Sequence, residues 1–304
     1  MYLCIKIGKI MGFWKTFFGG ESNPEEEKKN AEERNFDLLK YDGVKAMRMG
    51  QYEYAVKCFL KALESQDDPE VHDYLSRAYT RQGKLDEALA EVKTLVLAEP
   101  DNIHLLIQAS GIAYMKEDYA EMTALCQQAI ELDPDHAVAH LAYARAELGQ
   151  GNQVQAIARL TKAIALDENL VEPHLLRGQT LMQMGDFDGA WADAQWLTDR
   201  MPEADEDALL FTARLMAAKG DRQEAVEAYG KVVEVNPFQV DAYRERGRLR
   251  YEMGDKQGAE EDMQKVLELN PDEMADVSGE YSAEGIEQKT RQAYSNMNPF
   301  GIGL

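Results

Sequence analysis

The sequence predicts an all-α chain built as seven antiparallel helix hairpins stacked in tandem and closed by a C-terminal capping helix. Three tracks running in phase carry that prediction. A turn glycine recurs as Gly50, Gly83, Gly151, Gly185, Gly220 and Gly254, with Glu117 in the one missing place, at steps of 33 to 35 residues. Five residues after each comes a small or slim residue: Ala55, Ala88, Met122, Ala156, Ala190, Ala225 and Ala259. A helix-stopping track keeps the same period through Pro100, Pro134, Pro202, Pro237 and Pro271, with Asp67 and Glu168 in the other two units.

The elements follow in order. Residues 1–35 form an aromatic arm and a charged linker. Phe13, Trp14, Phe17 and Phe18 are spaced for one helical face, which suits a membrane surface, a partner groove or the first repeat itself. Met11 is an alternative start to Met1, and residues 21–34 read as a solvated linker or frayed helix. The repeats then occupy 36–68, 69–102, 103–136, 137–170, 171–204, 206–239 and 240–273. In each, two stretches of helix-period apolar residues flank the glycine turn, among good helix formers such as Ala, Leu, Glu and Lys. The small track lets the paired helices approach closely, so enlarging Ala156 or Ala190 is expected to cost about 1–3 kcal/mol. Proline sits where the second helix has ended, because its missing N–H breaks no ladder bond there. One hairpin buries too little apolar surface to fold alone, so neighbours must share a core. Residues 274–304 supply the cap and an apolar tail: from Ser282 as N-cap, Ile286, Ala293, Tyr294 and Met297 share one face. The tail 298–304 is a candidate for docking into a groove of the same or another molecule.

The unit resembles the tetratricopeptide repeat, with its W-x2-L-G-x2-Y, A-x3-F and P positions. The A-x3-F pair reads Ala55/Phe59, Ala88/Val92, Met122/Cys126, Ala156/Leu160, Ala190/Ala194, Ala225/Tyr229 and Ala259/Met263. The early small slot reads Gly43, Ser76, Ser110, Ala144, Gly178, Ala213 and Gly247. The first aromatic slot departs most, reading Leu39, His72, Leu106, His140, His174, Leu209 and Tyr243. The resemblance implies a right-handed superhelical solenoid whose concave groove, lined by the first helix of each hairpin, binds proteins or peptides.

Composition narrows the function. A net charge of −22 argues against a nucleic-acid groove. Three cysteines make no disulfide framework, and Cys58 and Cys126 read as packing residues. Lys6, Lys9 and Lys15 interrupt the apolar start, and no cleavage site of the A-x-A kind follows, so the expected compartment is the cytoplasm. His136 and His140 stand four residues apart without a third ligand, and the three histidines in the aromatic slot read as structural. No phosphate loop, nucleophile elbow or C-x-x-C is present. The chain is expected to be a non-catalytic scaffold without cofactor or metal. The alternative is a peripheral membrane-associated assembly factor anchored by the aromatic arm.

Residues ten, six and three places before the turn glycine share one side of the first helix. The ten-before row reads Lys40, Asp73, Ile107, Leu141, Leu175, Leu210 and Arg244. The six-before row reads Val44, Arg77, Gly111, Arg145, Gln179, Arg214 and Arg248, and the three-before row adds Met47, Tyr114, Leu148, Met182 and Tyr251. Together they predict an apolar floor beside an arginine track, suited to a peptide with Leu- or Phe-like anchors and acidic residues. Glu172, Asp207 and Asp241 offer the same arginines partners within the chain. The clamp that some family members use for a C-terminal carboxylate is matched only at Lys40, because Val44 and Tyr74 replace its asparagines and His104 and Gln108 its basic pair. On the second helices Trp196 breaks a polar column of Lys61, Thr94, Gln128, Lys162, Lys231 and Lys265, which marks a possible second contact.

Overall fold

A computed structural model describes residues 24–200, 205–270 and 283–295, and every described element is an α-helix. In chain order these are α1 (Pro24–Arg48), α2 (Tyr52–Leu63), α3 (Pro69–Arg81), α4 (Leu85–Ala98), α5 (Ile103–Met115), α6 (Tyr119–Leu132), α7 (Ala137–Gly149), α8 (Gln153–Leu166), α9 (Val171–Gln183), α10 (Phe187–Arg200), α11 (Glu206–Lys219), α12 (Arg222–Val235), α13 (Val240–Glu252), α14 (Lys256–Leu269) and α15 (Ala283–Ser295). The chain divides into two compact units, residues 1–125 and 126–304. In the first, α1 packs on α2 and α3 on α4, while α2 meets α3 and α4 meets α5. In the second, α7 to α14 pair in the same way, each second helix also touches the next first helix, and α15 lies on α14. Helix α1 begins at Pro24, so the charged stretch before the first repeat is continuous with it.

The turn geometry explains the glycine track. Gly50, Gly83, Gly151, Gly185, Gly220 and Gly254 all have φ between 72° and 92°, a region that costs a residue with a Cβ. The next residue's N–H then reaches back five positions, as in Gln51 to Ala46 (2.9 Å), Asp186 to Leu181 (2.9 Å) and Asp255 to Arg250 (2.9 Å). That 6→1 bond satisfies a carbonyl the helix end would otherwise orphan. Glu117 adopts the same turn at φ 57°, the one positive-φ residue other than glycine among those described, with Asp118 bonded back to Ala113 at 2.9 Å. Glu117→Gly is therefore expected to stabilise the chain by about 0.5–1 kcal/mol, the left-handed penalty less the extra entropy of an unfolded glycine. Chemical denaturation checks this, and a loss of stability would show that the Glu117 side chain supports the turn.

The second helices stop where the proline track requires. Pro100, Pro134 and Pro237 each stand two residues past the end of α4, α6 and α12. Asp68, Asn102 and Asp205 cap the following first helices by accepting from the N–H of Val71 (3.0 Å), His104 (3.1 Å) and Ala208 (2.9 Å). Pro202 and Pro271 lie outside the described residues.

All seven members of the small track are buried, as are the seven large-slot residues from Phe59 to Met263. How the hole above each early small residue is filled varies. In the first repeat the Phe59 ring lies over Gly43, where a Cβ would collide with it. In the fifth the large slot holds only Ala194, and the ring over Gly178 is Phe211 from the next repeat; a Cβ on Gly178 would stand 2.6 Å from it. In the seventh, Tyr294 of the capping helix covers Gly247. Ile286 and Ala293 of α15 also pack on this end of the core, while Met297 lies outside the described residues.

Candidate interaction face

The helix spacing places each row of first-helix residues on a common side, and the structure divides them between packing and surface. Among the ten-before residues, Leu141 packs with Leu160 and Leu176, and Leu210 packs with Tyr229 and Ala242; both are buried between helices. Leu175 lies against the cluster built on Phe211 and Leu215, and Ile107 is half-buried. The three-before row stays nearer solvent. Tyr114 is 44 % exposed, and Leu148, Met182 and Tyr251 are half-buried. Gln179 of the six-before row is half-buried as well. Arg77, Ile107 and Tyr114 belong to the first unit and the remaining predicted groove residues to the second.

The arginines are paired within the chain, Arg145 and Arg214 across neighbouring repeats and Arg77, Arg244 and Arg248 along their own helices. Arg145 on α7 donates through Nε to Glu172 on α9 at 2.7 Å. Arg214 on α11 grips Glu245 on α13 through Nε (3.0 Å) and its terminal nitrogen (2.6 Å), and approaches Asp241 at 3.7 Å. Arg244 bonds Asp241 at 2.6 Å, Arg248 lies 3.4 Å from Glu252, and Arg77 pairs with Asp73 at 2.8 Å. Glu245 also accepts from the buried Tyr229 hydroxyl at 2.6 Å. Burial, with Glu245 beside it, pushes the Tyr229 phenol upward, and the Glu245 carboxylate holds the Arg214 guanidinium above its ordinary range. Lys40, the single match to the carboxylate clamp, is occupied by Asp68 (3.2 Å) and Glu70 (2.6 Å), and its pKa is raised because those carboxylates outweigh its burial. Gln108 donates to Asp73 at 2.9 Å.

The histidines of the aromatic slot are structural in their contacts. His140 is buried with Nε2 2.9 Å from the Pro134 carbonyl, and His136 caps α7 by accepting from the Ala139 N–H at 3.1 Å. His72 lies between Glu91 (2.5 Å) and Asp67 (2.8 Å); burial opposes its charge, but the two carboxylates prevail and raise its pKa. His174 goes the other way, lowered by burial in spite of Asp193 at 2.7 Å. Trp196 is half-buried: its ring stacks on His174 at 3.8 Å, with the Arg200 guanidinium 4.9 Å from it.

A feature that sequence reasoning missed is a set of carboxylates three residues after the small track. Asp193 is held by Arg177 (2.9 and 2.7 Å) as well as His174, and Asp262 by Arg246 (3.0 and 2.5 Å) and Arg250 (3.0 Å). Both are buried. The available signal was partial: the same slot holds Cys58, Leu125 and Ala228 in three repeats but Glu91 and Arg159 in two others, and where an acid is drawn fully inside it must find a cation there.

The aromatic arm of Phe13, Trp14, Phe17 and Phe18, and the tail 298–304, lie outside the described residues. No helix among the described residues is long and apolar enough to cross a membrane.

Known proteins place this architecture. Two family models, each describing the tetratricopeptide repeat, match residues 43–103 and 212–273 and residues 125–158. Among solved structures, the chain is similar to a tetratricopeptide repeat protein from Parabacteroides merdae, at 18 % identity and a TM-score of 0.65, covering 86 % of this chain and 99 % of that one. It is also similar to PilW, a type IV pilus biogenesis factor, at 19 % identity and a TM-score of 0.60, covering 71 % of this chain and 96 % of that one. A third, YrrB, described as having an unusual peptide-binding site, matches at 18 % identity with a TM-score of 0.51 over 60 % of this chain and 94 % of that one. The turn glycines, the buried small track and the paired helices between them are thus those of the family that the models describe: this chain belongs to the tetratricopeptide repeat proteins.

Proposed function

We propose that the chain is a non-catalytic adaptor that holds an extended or helical segment of a partner protein against its first helices. In the second unit the contact would run over α7, α9, α11 and α13; Arg77, Ile107 and Tyr114 offer a smaller face of the same kind in the first. The observation that supports this reading is the alternation of half-buried Leu148, Met182 and Tyr251 with arginines already held in place by acidic neighbours. Roughly a third of the Arg145 and Arg214 side chains remains open to solvent, at 35 % and 32 %. Arg214 aims Nε and one terminal nitrogen at Glu245 while its side chain stays part-open, so an acidic partner residue meets a guanidinium that is already ordered and need not be fixed on binding. Each apolar anchor buried beside them contributes about 1.5–3 kcal/mol.

A displayed library of peptides carrying Leu or Phe anchors, with and without acidic residues, tests the reading. Acidic members are expected to be enriched, and Leu148→Asp with Met182→Asp to weaken the selected peptides at least about tenfold, the equivalent of 1.4 kcal/mol. Thermal melts confirm that the variant is folded. Equal recovery of acidic and neutral peptides, or full affinity in a folded double variant, would overturn it.

A further inference from the structure

One stacking face in the repeat array differs from its equivalents. Residues twelve, nine and five places before each turn glycine form the side of a first helix that meets the preceding hairpin. In the second repeat these are Val71, Tyr74 and Ala78: Val71 and Ala78 are buried, and Tyr74 stacks on Phe59 at a ring separation of 5.6 Å. In the sixth they are Ala208, Phe211 and Leu215, and in the seventh the outer two are Ala242 and Leu249, all buried. The first repeat carries Leu38, Tyr41 and Lys45 there, and Leu38 is 59 % and Tyr41 66 % exposed. Met49, one turn on from Lys45, is exposed too. A repeat stack needs its outermost faces closed or made polar. At the far end of the second unit the closure is α15, whose Tyr294 covers Gly247. On α1 the matching face is open and, apart from Lys45, apolar.

We propose that this face of α1 is closed by the chain's own residues 13–18, through Phe13, Trp14, Phe17 and Phe18. The tether permits it. Leu38 stands about 21 Å along α1 from Pro24 and Tyr41 about 26 Å, at 1.5 Å per helical residue. The six residues from Phe18 to Pro24 span up to about 20–22 Å when extended, and a helical 13–18 adds about 8 Å, which brings Phe13 and Trp14 level with Leu38 and Tyr41. Gly19 and Gly20 permit the reversal such a path needs. A short tether also gives the arm an effective concentration on the order of millimolar at that face, well above a second copy in dilute solution.

Hydrogen exchange read by mass spectrometry over residues 36–49 tests this. In the full chain those amides are expected to exchange at least about tenfold more slowly than in a chain lacking residues 1–18. Tyr41→Asp should reproduce the acceleration in the full chain and add little in the shortened one, and Trp14→Ala with Phe17→Ala, which leaves α1 itself intact, should do the same. Exchange that is unaffected by removing the arm overturns the proposal. So does protection that rises with protein concentration in the shortened chain alongside a dimer in light scattering, which assigns the face to a second copy. Binding of the arm to phosphatidylglycerol vesicles with no change at residues 36–49 assigns the aromatic cluster to a lipid surface instead, and equally overturns it.

Discussion

Asp193→Ala is expected to lower the stability of the second unit by about 3–5 kcal/mol, more than any surface substitution in the chain. Asp193 is 1 % exposed and is the shared acceptor for the Arg177 guanidinium and His174 Nδ1. Its removal leaves the largely buried Arg177 side chain, 20 % exposed, with Thr161 at 3.1 Å but without its carboxylate, and the cost is chiefly that of a charge left without its counterion. Asp193→Asn should cost less, since it preserves an acceptor of the same shape. Replacing both partners, as in Asp193→Leu with Arg177→Leu, should recover most of the loss, because a well-packed apolar pair often matches a buried ion pair. Denaturant melts on the full chain measure all three. A single-variant loss below about 1 kcal/mol would mean that water reaches Arg177 and that the pair is not a buried one.

The second large effect is at Phe211, where alanine is expected to cost about 3–5 kcal/mol. Phe211 is buried and covers Gly178, in space that the short side chain of Ala194 leaves open. The first repeat fills the same hole from its own second helix with Phe59, so the two arrangements are alternatives for one cavity. Ala194→Phe in the parent should therefore cost about 1–3 kcal/mol through overpacking. In the Phe211→Ala background the same substitution should restore at least half of the lost stability. That change of sign is the diagnostic result: additive losses in the double variant would show that the two rings do not compete for one space.

These positions mark where the sequence stopped being informative. Each hairpin's turn, its helix stops and its closely packed alanines were legible because they are local requirements: a positive φ, a missing N–H and a missing side chain each select a residue type at a fixed spacing. Even the exception at Glu117 could be placed, since the period left one position for it. The capping helix was legible for the same reason, its apolar face repeating at helical spacing through Ile286 and Tyr294.

The interaction face was less legible. Leu141, Leu175 and Leu210 occupy equivalent rows and look alike in sequence, yet two are buried between helices and the third packs at the edge of the core, because the depth of a row depends on how closely the next hairpin approaches. Arginine at the six-before position was evident; that Glu172 and Glu245 reach it from the following repeat was decided by helix packing.

The sequence by itself determined the all-helical class, the helix stops and the residue at each turn, since those follow from backbone conformation and short-range spacing. Only the tertiary structure decided which side chain fills each gap, which acid is drawn inside to meet an arginine, and which stacking face of the first repeat is left open. Those outcomes depend on volume and charge supplied by a neighbouring element, about which a residue's own local pattern carries no information.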